Sequence, residues 1–355
     1  MAATPAHSFF SRTKELLGVG ELTLSQQQTI AAAVDQWITG MPGRIAGHVI
    51  FVENPEHIDY AKTLVTEGSV ILALNGDKDD EAITTVSGSF DAAGEELLVD
   101  GTLSLEIQDY VAIPFVNLVG VTVVRITTSE DWQAFFDDAE EARRSGHFVR
   151  QLTEVNAVLS ERALLARVEQ QSVSLARFHI TSDGRILSGP YGAEIGWVGE
   201  AIEDLHAKSV GPGTAMANCQ VDVEALKANP WIPRYLAALD AWKFIPREAR
   251  ETTRFVGFGV SLFSTASGFP SAFAPFLVQR AGEYTLLDTQ SGRVFKIGVD
   301  AATIIEAISN FRDVRSAAAV IAPALNVSET VATGSVTAVL NQFEQFGIDL
   351  IGTNR

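Results

Sequence analysis

A chain of 355 residues, 46% of them hydrophobic, is long enough for two or three domains with ordinary cores. Its formal net charge of -18 argues against broad binding to a phosphate backbone, which needs clustered Lys and Arg; it suits a basic or neutral peptide partner, and it also keeps a protein soluble. A single cysteine, Cys219, rules out an intrachain disulfide and points to a reducing, cytoplasmic compartment. The N-terminal stretch does not read as a signal peptide, and no window approaches the ~18 apolar residues of a membrane helix.

In chain order, Leu24–Thr39 is predicted to be helical, with Ile30, Val34, Trp37 and Ile38 at helical spacing and Gly40, Pro42 and Gly43 behind it. A strand Gly47–Val52, a helix Pro55–Glu67 and a strand Ser69–Leu74 make a β-α-β pattern, with Pro55 in the first helical turn, where its missing N–H costs least. Strands follow at Ala82–Phe90, Glu96–Glu106 and Val111–Thr127, the last read as two buried strands, then an amphipathic helix at Glu130–Arg144. Residues 1–145 are expected to form one mixed α/β domain. For 146–263 the expectation is an α+β middle domain or a continuation of the first. It comprises a helical stretch Phe148–Gln171 with a break around Asn156, a hairpin Arg177–Leu187 turning at Ser182-Asp183-Gly184, a short helix Trp197–Lys208, a breaker at Gly211-Pro212-Gly213, a helical run Val221–Phe244 interrupted by Pro230 and Pro233, and a strand Thr253–Phe263. The Ser-, Gly-, Pro- and Ala-rich residues 264–275 read as a linker.

Beyond residue 275 the pattern is clearer. Strands Phe276–Arg280, Tyr284–Thr289 and Arg293–Ile297 are joined through Gln290-Ser291-Gly292. Helices follow at Val299–Phe311, Val314–Leu325 and Val331–Phe346, and Gly347 stops the last. Asp300 and Asp313 stand at helix starts, where a carboxylate accepts orphan N–H groups. The fold class is thus α+β: a C-terminal βββααα domain, 276–355, preceded by one or two mixed α/β domains.

This order, with Tyr284-Thr-Leu-Leu-Asp-Thr-Gln-Ser-Gly-Arg-Val-Phe-Lys-Ile297, the early small residues after Asp300, and the Val336, Val339-Leu340, Phe343 to Ile348 pattern, resembles PqqD and the wider class of winged-helix-like recognition elements for ribosomally made, post-translationally modified peptides. The resemblance covers about 80 residues; the alanine-rich second helix, interrupted by Pro323, departs from it. Size and layout are similar to the stand-alone recognition proteins of daptide clusters. The resemblance implies a non-catalytic adaptor that binds the leader of a precursor peptide as an added strand and presents it to a modifying enzyme of the same pathway. The peptide would join the edge of Arg293, Val294, Phe295, Lys296 and Ile297, walled by Val336, Val339, Leu340 and Phe343 of the third helix. An edge strand offers unpaired N–H and C=O groups that an extended peptide can satisfy. Those four helix residues also have the spacing of plain core, and Phe295 and Ile297 share the strand face expected to point inward.

No catalytic constellation stands out. None of the six histidines pairs at i, i+4 spacing and there is no Cys-x-x-Cys, so neither a metal nor a cofactor is expected. Cys219 reads as a structural cysteine, the glycine pairs at 18/20 and 211/213 lack the rest of a phosphate loop, and the acidic groups Asp137–Glu141 and Glu200–Asp204 read as solvated faces. Two alternatives remain. One is an enzyme with its chemistry in the first 263 residues fused to a leader-binding domain. The other is a winged-helix DNA-binding regulator, against which stands the absence of Lys and Arg from Ser316 to Asn354. No nucleic-acid or membrane partner is expected.

Overall fold

In the computed structural model the described residues are 24–77, 79–112, 120–165, 175–208, 216–220, 222–263 and 268–353. The Gly211-Pro212-Gly213 breaker, the Gly18/Gly20 pair, and the parts of the expected elements at 113–119, 166–174 and 264–267 lie outside them. The fold is mixed α+β, with one large mixed sheet and one antiparallel sheet. The described chain divides into two units, one of residues 24–136 with 154–228, the other of 137–153 with 229–353.

The first unit is built on ten strands: β1 (Val49–Val52), β2 (Val70–Leu74), β3 (Ile83–Gly88), β4 (Glu96–Val99), β5 (Leu103–Asp109), β6 (Val121–Arg125), β7 (Ala157–Leu159), β8 (Arg177–Ile180), β9 (Arg185–Leu187) and β10 (Glu194–Trp197). Their order is β10-β9-β8-β1-β2-β3-β4-β5-β6-β7. β8, β1, β2 and β3 are mutually parallel, as are β5, β6 and β7; β4 runs antiparallel between the two blocks, and β9 antiparallel to β8 and β10. β1 reads Val-Ile-Phe-Val and is buried along its whole length, as a parallel strand covered on both faces must be. Helix α1 (Leu24–Thr39) packs on one face through Val34, Trp37 and Ile38, which join Val49, Phe51, Leu72, Val86 and Val123 in the core. Trp37 lies flat on Phe51, ring centroids 4.4 Å apart. Helix α2 (Ile58–Thr63) carries the chain from β1 to β2. It follows a short 3-10 turn opened by Asn54, whose side chain accepts the Glu56 N–H.

The second unit carries an antiparallel sheet in the order β11 (Thr253–Phe255), β12 (Phe276–Arg280), β13 (Glu283–Asp288), β14 (Arg293–Ile297). On one face lie Leu277, Tyr284 and Leu286, together with helices α8 (Val299–Phe311), α9 (Val314–Ala324) and α10 (Glu329–Gln345). Asp313 caps α9 by accepting the Ser316 N–H, and Ser328 caps α10 by accepting that of Val331. Asp300 sits inside the first turn of α8, behind Gly298. Pro323 falls in the last turn of α9 without ending it earlier. The other sheet face is covered too. Phe276 meets Phe255, which meets Trp242 of α7 (Ile232–Trp242), and Arg234 of the same helix lies 3.5 Å above the Phe276 ring. Arg234 also donates to the carbonyls of Ser271, Ala274 and Pro275, so residues 271–275 are pinned down.

Several local expectations are corrected. The helix expected at 148–171 is replaced, over the described residues, by a 3-10 turn at 151–153, strand β7 and the one-turn helix α4 (Arg162–Leu165); pairing of Val158 and Leu159 with β6 overrides helical propensity. The strand expected over Glu96–Glu106 is two strands, because Asp100 and Gly101 both take positive φ and turn the chain. Residues 110–112 form a 3-10 turn rather than a strand. Trp197 ends β10, and the helix α5 (Ile202–Ala207) begins only at Ile202. The run at 221–244 breaks at Pro230 as expected, into α6 (Val223–Ala228) and α7, whereas Pro233 falls in the first turn of α7 and does not interrupt it. Only Thr253–Phe255 of the expected 253–263 strand is regular, since Gly257 and Gly259 bend the backbone at positive φ. α3 (Ser129–Ser145) and the β8–β9 hairpin form where expected. Among the described residues no helix is long and apolar enough to cross a membrane.

Candidate functional site

β14 is an edge strand of its sheet, as is β11; β13 pairs with one side of β14, and among the described residues no strand pairs with the other. In an antiparallel strand successive backbone groups point alternately to the two sides, so part of the β14 backbone faces outward with its hydrogen bonds unmade by the sheet. The hairpin that presents it is set by the β13–β14 turn. Asp288 accepts from the Gln290 N–H and the Ser291 hydroxyl there, and Gly292 takes a φ of 68°.

Alternation along β14 sorts its side chains. Phe295 and Ile297 pack against the helix-side core, opposite Leu286 and Tyr284. Val294 and Lys296 point the other way. Val294 is 62% exposed, and the Lys296 ammonium sits 2.7 Å from Glu283 on the neighbouring strand. Arg293 donates to Ser291 Oγ and holds its guanidinium 5.8 Å from the Phe295 ring centre.

Helix α10 meets this edge through aromatic contact. Phe295 lies 5.9 Å from Phe343 and 5.9 Å from Phe346, and the two phenylalanines of the helix are 6.4 Å apart. Phe343 is buried, whereas Phe346 is 47% exposed. The four helix residues expected in the wall divide the same way. Val336 is wholly buried and Phe343 nearly so; Val339 and Leu340 are partly exposed while touching the core. The structure therefore brings Phe295 into ring contact with Phe343, packs Val339 and Leu340, partly exposed, on the same core, and buries Val336 within it. Phe346 is the residue that the sequence-based site left out. Its signal was present, three positions after Phe343 on the same helical face. Between Glu329 and Gln345 the helix has no Lys or Arg, so the basic groups at this edge are Arg293 and Lys296 of the strand.

Residues read as non-catalytic have structural settings. Cys219 is buried, its carbonyl accepts the Trp132 indole N–H, and burial pushes its thiol pKa far up. Such a thiol is protonated and a poor nucleophile. Glu140 and Glu141 pair with Arg143 and Arg144 one helical turn on. Glu200 accepts from Lys208 and from the Trp197 N–H. Trp231 and Trp242 are buried; Trp197 is exposed, with its indole N–H on Glu194. No group of three or more His, Cys, Asp or Glu residues that could hold a metal ion occurs among the described residues. Set beside known proteins, the chain matches no family model, no curated protein and no solved structure.

Proposed function

We propose that β12–β14 with α8–α10 act as a winged-helix-like recognition domain. In this reading the leader of a ribosomally made precursor peptide adds to β14 as a further strand, and the protein serves as a non-catalytic adaptor that presents it to a modifying enzyme in the cytoplasm. The observation that carries this reading is the outer edge of β14, with which no strand pairs among the described residues, beside the aromatic group of buried Phe343, half-buried Phe295 and exposed Phe346. Main-chain pairing accounts for only part of the affinity, because each hydrogen bond to the peptide replaces one to water and contributes about 1 kcal/mol net. Selectivity then rests on apolar side chains of the peptide that reach Val339, Leu340 and Phe346. A helix free of Lys and Arg is poorly suited to meet a phosphate backbone.

The test uses the full chain and a fluorescent synthetic peptide carrying the leader of a precursor encoded beside this gene. Saturable binding that changes little with salt, and that random duplex DNA does not displace, is expected, since counterion release governs DNA binding but not strand addition. Absence of peptide binding, or chemical modification of the precursor by this protein alone, would refute the adaptor.

A further inference from the structure

The α1 face of the large sheet holds buried polar groups that the peptide-binding reading does not use. Arg177 on β8 donates to the main-chain carbonyls of Trp37 and Ile38 and to the carboxylate of Glu161. The pair is almost fully buried, yet Glu161 Oε1 has no hydrogen-bond partner. Burial pushes the Glu161 carboxyl up, and Arg177 opposes this only in part. His179 lies two residues along the same strand and on the same face, roughly 7 Å away at the rise of a β-strand. Its Nε2 is 2.8 Å from Glu53 Oε1, and the other Glu53 oxygen accepts the Ser182 N–H at 2.7 Å. Burial raises the Glu53 carboxyl, but donation from His179 and Ser182 outweighs it and holds the group below its usual range. In the tautomer that carries its proton on Nε2, facing Glu53, the ring's acceptor is Nδ1, and Nδ1 is buried without a partner.

Two further buried atoms on this face lack partners, Trp37 Nε1 and Ser188 Oγ, and the buried Tyr191 hydroxyl, which meets the Arg125 guanidinium, has no acceptor for its own proton. Ring contacts join them to His179. Trp37 stacks on Phe51, which is 5.0 Å from His179; Phe90 is 4.8 Å from Trp37 and 6.2 Å from Tyr191. Ser188 belongs to the same neighbourhood. A Cβ on the adjacent Gly189 would stand 2.6 Å from the Arg177 guanidinium, and one on Gly192 would stand 2.1 Å from Ser188 Oγ. Native proteins leave few buried polar side-chain atoms unpaired, so their convergence in one place calls for an explanation. The groups run along β8: Arg177, with Glu161 on it, opens the strand, while Glu53 and Ser182 follow the carboxyl ends of β1 and β8.

We propose that this face of the sheet binds a small zwitterion of the α-amino acid class. The inventory of unmet groups fits both its ends. Trp37 N–H and the hydroxyls of Ser188 and Tyr191 are donors for a carboxylate; Glu161 Oε1 and His179 Nδ1 are acceptors for an ammonium. An ammonium beside Glu161 would offset the burial that disfavours its ionised form. The half-buried ring of Phe90 stands between Trp37 and Tyr191, where it meets an apolar side chain.

Thermal unfolding of the full chain tests this with each protein L-amino acid at ~10 mM, where a ligand that binds the folded state alone raises the midpoint. Acetate and methylamine serve as single-charge controls. At least one amino acid is expected to raise the midpoint by roughly 3 °C or more, with neither control doing so. Tyr191→Phe and Ser188→Ala each delete one hydroxyl and are expected to weaken that amino acid at least tenfold. No shift with any amino acid overturns the proposal, as does a shift that acetate alone reproduces or that both variants retain in full. Loss of stability in both variants, with an unresponsive native protein, would assign the hydroxyls to ordered water only and also overturn it.

Discussion

Truncating Phe346 separates contact from core at the β14 edge. The residue is 47% exposed, so Phe346→Ala forfeits about half of the 1.5–3 kcal/mol that full burial of such a side chain contributes, or roughly 1 kcal/mol. Its ring contacts with Phe295 and Phe343 bring the expected destabilisation to about 1–2 kcal/mol. Phe343→Ala, by contrast, removes a buried ring and should cost about 3–5 kcal/mol. For binding the order reverses in usefulness. An aromatic side chain at the centre of a peptide contact behaves as a hot spot, so Phe346→Ala should weaken the leader by about 2 kcal/mol, roughly 30-fold in Kd. Fluorescence anisotropy of the labelled leader, with urea unfolding of the same preparation, reads both quantities. Phe346→Leu keeps most of the apolar surface and should recover most of the affinity. A folded Phe346→Ala protein that binds the leader as tightly as the native one would refute the placement of the groove at this aromatic group.

Other expectations follow from the same structure. Val339→Asp or Leu340→Asp puts a charge into the partly exposed wall; at least one should weaken leader binding by about 2 kcal/mol or more while the protein stays folded, and if both fold and bind normally the groove lies elsewhere. Asp131 is wholly buried and accepts from the N–H groups of Val111, Thr127 and Thr128 and from the Thr128 hydroxyl; Asp131→Ala, leaving these donors unmet, should cost on the order of 2–4 kcal/mol in urea unfolding, and a cost within error of zero would contradict the network. Burial raises its carboxyl, but those donors outweigh it and hold the pKa below 3.8, so its contribution is present above that value and is lost as pH falls through the folded pKa. Glu306 has the opposite sign. Burial pushes its carboxyl above 4.5 despite donation from the Ser261 hydroxyl and the Leu262 N–H, so its contribution is present below 4.5 and lost as pH rises through the folded pKa; Glu306→Gln should flatten the pH dependence of the unfolding midpoint above 4.5, and an unchanged slope would count against it. Finally, a fragment limited to 276–355 strips the cover from Phe276, Val278 and Leu287, all buried in the whole chain. It should show no cooperative melting transition, and a sharp one would show that this sheet face needs no cover.

What could be read from the sequence, and what could not, divides by the range of the interaction. The β8–β9 hairpin was legible because Ser182-Asp183-Gly184 carries its own turn chemistry, and Gly184 takes a φ of 88°. Asp100-Gly101 carried an equally local signal that the strand reading passed over. β7 was not legible: Ala157–Leu159 is extended because β6, more than 30 residues earlier, offers an open side. Nor does any local pattern place β8 beside β1 across an interval of about 125 residues, yet that pairing brings His179 to Glu53 and Arg177 to Trp37. In isolation those residues look like ordinary polar positions, so a polar group on the sheet face was invisible before the strands were ordered.

The α10 stripe shows the same limit within a single helix. Helical spacing groups Val336, Val339, Leu340 and Phe343, but it does not say which edge of the stripe the sheet covers. That is decided by the other helices: Ala302, Ile305, Ala317 and Ile321 share the core with Val336 and Phe343, and this turns Val339, Leu340 and Phe346 toward the outside. A stripe wider than the surface available to bury it leaves an apolar margin. Here that margin meets Phe295 on β14, an edge strand with whose outer side no strand pairs among the described residues. The docking surface proposed above is thus the part of the core pattern that the fold has no room to cover, and a peptide that both paired with β14 and covered Phe346 would complete the sheet and the core together.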